Sequence, residues 1–71
     1  MIELTGEAYI EMLKNLDSES LVYEFIKQTV VANKHMEEVS SGIGEYDGDT
    51  LFRYNAVATE VVQRLEKISQ P

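Results

Sequence analysis

Helix-breaking residues are few in this 71-residue chain, and their positions limit the folds available to it. The single proline is the last residue, and three of the four glycines, Gly42, Gly44 and Gly48, fall in one short stretch. Glycine interrupts helices because it adds backbone freedom, and proline because it lacks an amide donor. Residues 18–40 and 50–69 contain neither. The sequence therefore predicts two long helices joined by one loop and preceded by a shorter N-terminal helix.

Capping residues set the expected bounds of the three helices. The first helix is predicted over 6–16, the second over 18–40 and the third over 49–69. Side-chain oxygens that can bond the free amides of a first turn precede each of them. These N-cap candidates are Thr5, Asp17, and either Asp47 or Asp49. Gly42 can adopt the left-handed conformation that ends the second helix.

Both long helices carry an apolar seam with spacings of three and four residues. The seam of the second helix is Val22, Phe25, Thr29, Ala32, Met36 and Val39, and that of the third is Leu51, Tyr54, Ala58, Val61, Leu65 and Ile68. Two seams of equal length predict an antiparallel helical hairpin. The expected fold is therefore all-α, a small three-helix bundle forming one domain over residues 1–71. Pairing of two such hairpins into a larger bundle stays open as an alternative.

The second helix has more apolar surface than one neighbour can bury. Tyr23, Ile26 and Val30 lie beside its seam and widen the apolar surface to about half of the circumference. One interpretation is that the first helix covers these three residues, while Phe52 packs under the glycine-rich loop. The alternative is that this surface binds a second copy or another protein, because so small a chain without disulfides gains most from extra burial.

Composition excludes several classes of function. The net charge of −7 leaves no basic surface for nucleic acid or for anionic lipid. There is no cysteine, and therefore no disulfide, thiolate metal site or thiol nucleophile. No apolar run approaches the ~20 residues of a membrane span, and the N-terminal residues do not read as a signal peptide. The expected location is the cytoplasm.

Candidate chemistry is weak throughout the chain. Glu45, Asp47 and Asp49 alternate like the first ligands of a calcium loop, but Thr50 and Ala56 stand where that loop needs Gly and Glu. His35 is predicted to be a solvated surface residue on the polar side of the second helix. We therefore expect no catalytic residue, no cofactor, no metal and no small-molecule substrate.

The remaining hypothesis is a small non-catalytic protein–protein interaction module that acts as a regulator, adaptor or inhibitor. It would present an apolar helix face to itself, as a homodimer, or to another protein. The alternative is an acidic mimic of nucleic acid that occupies a basic groove, using Glu37, Glu38 and the 45–49 loop. The residues predicted to bind a partner are Tyr23, Ile26, Val30, Tyr46, Phe52, Glu37 and Glu38.

Overall fold

The computed structural model describes residues 6–69, which form three helices. They are α1 (Gly6–Asn15), α2 (Ser18–Ser40) and α3 (Gly48–Ser69). The predicted all-α three-helix architecture is confirmed, and the helix ends lie within one residue of the predicted bounds. The expected cap Thr5 lies outside the described residues.

The first turn of α2 is closed by Asp17, as predicted. Its carboxylate accepts a hydrogen bond from the Ser20 amide at 2.7 Å, and its backbone is extended. This side-chain interaction with Ser20 lowers the pKa of Asp17. At the other end of α2, Gly42 has a φ of +76°, the left-handed conformation that was expected there.

Asp47 caps α3 and thereby decides between the two candidates. Its side chain accepts hydrogen bonds from the Thr50 hydroxyl and the Asp49 amide, both at 3.0 Å. The bond from the Thr50 hydroxyl, followed by the Asp49 amide, lowers the pKa of Asp47. The backbone amide of Asp47 also donates to Nε2 of His35 at 3.0 Å, which ties the loop to α2.

The three helices run up, down and up, with α1 packed on one face of the α2–α3 hairpin. A small core lies where all three meet, formed by the buried side chains of Tyr9, Leu13, Leu21 and Val57. The molecule measures 47 × 26 × 17 Å. It is long and thin because the two long helices overlap over only part of their length.

The predicted contact line between α2 and α3 is partly wrong. The structure buries Gln28 and Leu21 on α2, and Arg53 on α3, whereas four predicted seam residues are exposed: Val22, Met36, Leu65 and Ile68. Other seam residues do lie between the two helices, since Ala32 is buried and Phe25 and Val61 pack against the core. No helix within residues 6–69 is long and apolar enough to cross a membrane.

Candidate functional site

The side of the α2–α3 hairpin opposite α1 is apolar and uncovered. With ~100° of rotation per residue, one sector of α2 and the matching sector of α3 point to this side. We call it the open face; its residues are Val22, Phe25, Ile26, Thr29, Asn33, Met36, Leu51, Tyr54, Ala58, Val61, Val62 and Leu65. None of them is charged.

Most of the open face is in contact with solvent. Val22, Ile26, Asn33, Met36, Val62 and Leu65 are exposed, and its other members are half-buried. The rings of Phe25 and Tyr54 stack across the hairpin with centroids 6.3 Å apart.

Thr29 adds little polarity to this surface. Its hydroxyl donates to the Phe25 carbonyl at 2.7 Å, so its hydrogen bond stays within α2. The open face is therefore apolar apart from Thr29 and the exposed Asn33.

A polar cluster on the opposite side holds α1 against the hairpin. The Tyr9 hydroxyl donates to Glu24 Oε2 at 2.6 Å, and Gln28 Nε2 donates to the same oxygen at 3.0 Å. Burial, then this hydrogen bond and the charge of Glu24, raise the pKa of Tyr9 well above its usual range. The cluster explains why Gln28 is turned inward and, with it, why Val22 and Ile26 are turned outward.

Arg64 ties the end of α1 to α3. Its guanidinium donates to the carbonyls of Leu13 at 3.0 Å and Leu16 at 2.7 Å, and its Nε bonds Glu60 at 2.9 Å. The carbonyls at a helix C-terminus carry partial negative charge, which favours a cation there. Together with the polar cluster, this contact fixes α1 on one face and leaves the other open.

The three residues predicted to centre the interface are all in solvent. Tyr23, Ile26 and Val30 are 72%, 58% and 62% exposed. The interpretation that the first helix covers them is therefore wrong. Ile26 belongs to the open face, while Tyr23 and Val30 lie next to it on the outer side of α2.

The two other aromatic candidates occupy different environments. Tyr46 is exposed in the loop, with its ring 6.1 Å from that of His35. Phe52 is half-buried against the core rather than under the glycine-rich loop. With Ile10 and Leu13 it lines a shallow groove of about 360 Å³ between α1 and α3. His35 is half-buried at the surface, where its Nε2 accepts a hydrogen bond from the Asp47 amide, so it is less solvated than predicted.

The acidic candidates do not form one surface of free carboxylates. Glu37 is exposed, but Glu38 is half-buried beneath Gly44, and the Asp47 carboxylate is engaged as a helix cap. Within the described part of the chain, no three His, Asp or Glu side chains come together as a metal-binding group.

Sequence reasoning missed the contribution of α3 to this surface. Leu65 was predicted to lie in the hairpin seam and Val62 was not among the predicted partner-binding residues, yet both are exposed on the open face. The signal was present in the seams themselves, because the predicted seam residues include most of the open face. No protein-family model, curated protein or solved structure matches the chain.

Proposed function

We propose that this chain is a small non-catalytic protein–protein interaction module that works through the open face of its α2–α3 hairpin. The main support for this proposal is that more hydrophobic side chains are exposed than buried. Within residues 6–69, eleven large hydrophobic side chains are exposed, while five hydrophobic residues are buried. Five of the exposed side chains lie together on the open face: Val22, Ile26, Met36, Val62 and Leu65. Contiguous apolar surface marks interaction sites in soluble proteins.

The geometry favours a helical partner. The open face is long, narrow and lined by side chains from two antiparallel helices, which is the surface that an amphipathic helix or a second hairpin covers. Stacked Phe25 and Tyr54 lie within it, and aromatic residues are frequent among the residues that dominate binding energy. A regulator, adaptor or inhibitor would use such a face, and a cytoplasmic location belongs to the same proposal.

The acidic-mimic alternative has less support than the apolar face. A nucleic-acid mimic needs carboxylates that stay free to meet basic groups, whereas Asp47 bonds Thr50 and Asp49. Glu38 is half-buried under Gly44. The two mechanisms differ in their response to salt, because exposed ion pairs are screened over ~8–10 Å and apolar contacts are not.

Site-specific photo-crosslinking in cells tests the proposal. A photoreactive phenylalanine analogue is placed at Val62 on the open face and, in a matched control, at Ile43, which is exposed but lies in the loop. We expect one discrete protein adduct from position 62 and none from position 43. Equal labelling at both positions, or no adduct at position 62, would contradict the proposal.

A further inference from the structure

We infer that the open face is covered by a second copy of this chain, so that two hairpins pack face to face in a symmetric dimer. The inference rests on the proposed function, since it names the occupant of the same face. Two-fold dimers use one patch on both subunits, so the patch must be complementary to itself. Four properties support a second copy as the occupant: the surface area of the chain, its shape, the spacing of open-face residues along the helices and the lack of charge on that face.

The surface area of the chain is too large for a compact monomer of its mass. A typical monomer of 8.1 kDa exposes about 4,500 Å². This chain exposes 5447 Å². A standard stable interface takes ~800 Å² from each partner, so a chain with this much surface can bury one and still expose about as much as a compact monomer.

The shape of the molecule also shows that the single chain is less compact than a typical domain of its length. A compact domain of this length has a radius of gyration of about 11 Å, whereas that of this chain is 13.6 Å. The shortest dimension is only 17 Å. A second hairpin stacked on the open face would make the assembly more compact than the single chain.

Heptad spacing on the open face indicates what kind of neighbour fits. Val22, Thr29 and Met36 are seven residues apart on α2, and Leu51, Ala58 and Leu65 are seven apart on α3. Side chains repeated at this interval form a column that packs against a nearly parallel or antiparallel helix. A second copy supplies two such columns of the same length.

The charges around the open face are also compatible with self-association. The face itself has no charged residue, so two copies can meet without burying a carboxylate. An uncharged face also lacks the positive or negative groups that would select a partner of opposite charge. The excess negative charge of each chain lies elsewhere on its surface, where it opposes dimerisation only through weak, screened repulsion.

Light scattering after size-exclusion chromatography tests this inference on the full chain. We expect a mass of twice 8.1 kDa. Ile26→Glu and Leu65→Glu should each raise the dissociation constant about a hundredfold or more, because each places an uncompensated charge on both sides of the interface. Both side chains are more than half exposed in the single chain, so the fold tolerates the changes. The control Ile43→Glu, at a loop residue that is 79% exposed, should remain dimeric.

Isotope-filtered nuclear Overhauser spectra provide a test that needs no substitution. In a mixture of labelled and unlabelled chains, we expect contacts between the Val62 or Leu65 methyls of one copy and open-face residues of the other. A chain that is monomeric up to millimolar concentration would overturn the inference, as would a dimer that both open-face variants retain. If the chain is monomeric but position 62 still crosslinks to another protein, the proposed function stands and only the occupant is wrong.

Discussion

Arg64 is the residue on which the position of α1 depends most directly. Its guanidinium bonds the carbonyls of Leu13 and Leu16, while Glu60 holds it in place. Hydrogen bonds to charged groups contribute about 1.5–3 kcal/mol each when well formed, and less where water can replace them. We expect Arg64→Ala to lower the free energy of unfolding by about 1–3 kcal/mol in urea titrations followed by circular dichroism. The exposed Lys67→Ala is the control, and equal midpoints for both variants would contradict this role.

Gln28 is the least satisfied polar residue of the described chain. It is only 6% exposed, and its Oε1 has no hydrogen-bond partner within residues 6–69. A buried acceptor without a partner costs about 1–3 kcal/mol, which offsets what the bond from Nε2 to the Glu24 carboxylate contributes. Gln28→Met keeps the shape of the side chain and adds buried apolar surface, so it should raise the free energy of unfolding by about 1 kcal/mol. The matched surface change Gln63→Met should have almost no effect. A destabilised Gln28→Met variant would show that the amide is needed where it lies.

The two capping aspartates predict how stability depends on pH. Hydrogen bonds to Asp17 and Asp47 lower the pKa of each carboxyl in the folded chain. Groups of this kind contribute stability above the unfolded pKa of about 4, and that contribution is lost as pH falls through the lowered folded pKa. Replacing both by asparagine retains a capping oxygen without a titrating group. We expect the melting temperature of this variant to fall less steeply than that of the wild type below pH 4; parallel curves would contradict the assignment.

Helix ends and helix directions differ in how well the sequence predicts them. The ends of α2 could be read from Asp17 and Gly42, because a cap and a left-handed glycine act through local backbone geometry. Which side of α2 is turned toward the core could not be predicted in the same way. Its apolar residues cover about half of the circumference, so hydrophobic spacing alone allows several orientations that bury similar area.

Polar contacts between residues that are far apart in the sequence fix the orientation of α2. Tyr9, Glu24 and Gln28 come together only when α1 has docked, which brings Gln28 into the interior while the seam residue Val22 stays exposed. A seam built from apolar residues could not include Gln28 or Arg53, although both are buried. The sequence therefore predicted only part of the open face, since Ile26 was the one predicted partner-binding residue that lies on it. The contribution of α3 to this face was found only in the structure.

The loop between the long helices depends on one glycine conformation. At Gly42 the φ of +76° would place the Cβ of any other residue against its own backbone, at a cost of about 1–2 kcal/mol. We expect Gly42→Ala to lower the free energy of unfolding by about this amount. Gly48 is the control, since a Cβ there would lie 3.7 Å from the Tyr46 ring, an ordinary contact. Gly48→Ala should be neutral or slightly stabilising, and equal losses in both variants would contradict a specific role for Gly42.

At the scale of the whole molecule, folding and association are expected to be one process. The core contains few buried side chains, and the chain has no disulfide to supplement it. Chains of this size rarely gain more than a few kcal/mol from a single core. If the open face is buried by a second copy, the dimer adds apolar area that the monomer cannot supply, and stability becomes dependent on protein concentration.

Salt should strengthen this association rather than weaken it. Two chains of charge −7 repel each other, and raising NaCl from about 0.05 to 0.5 M shortens the screening length from about 14 to 4 Å. The apolar contacts of the open face are not screened. We therefore expect the melting temperature of the wild type to rise with both salt and protein concentration. Leu65→Glu should lose the dependence on concentration, because it melts as a monomer. An interaction through free carboxylates with a basic partner would respond in the opposite sense, with binding that weakens steeply over the same range of salt.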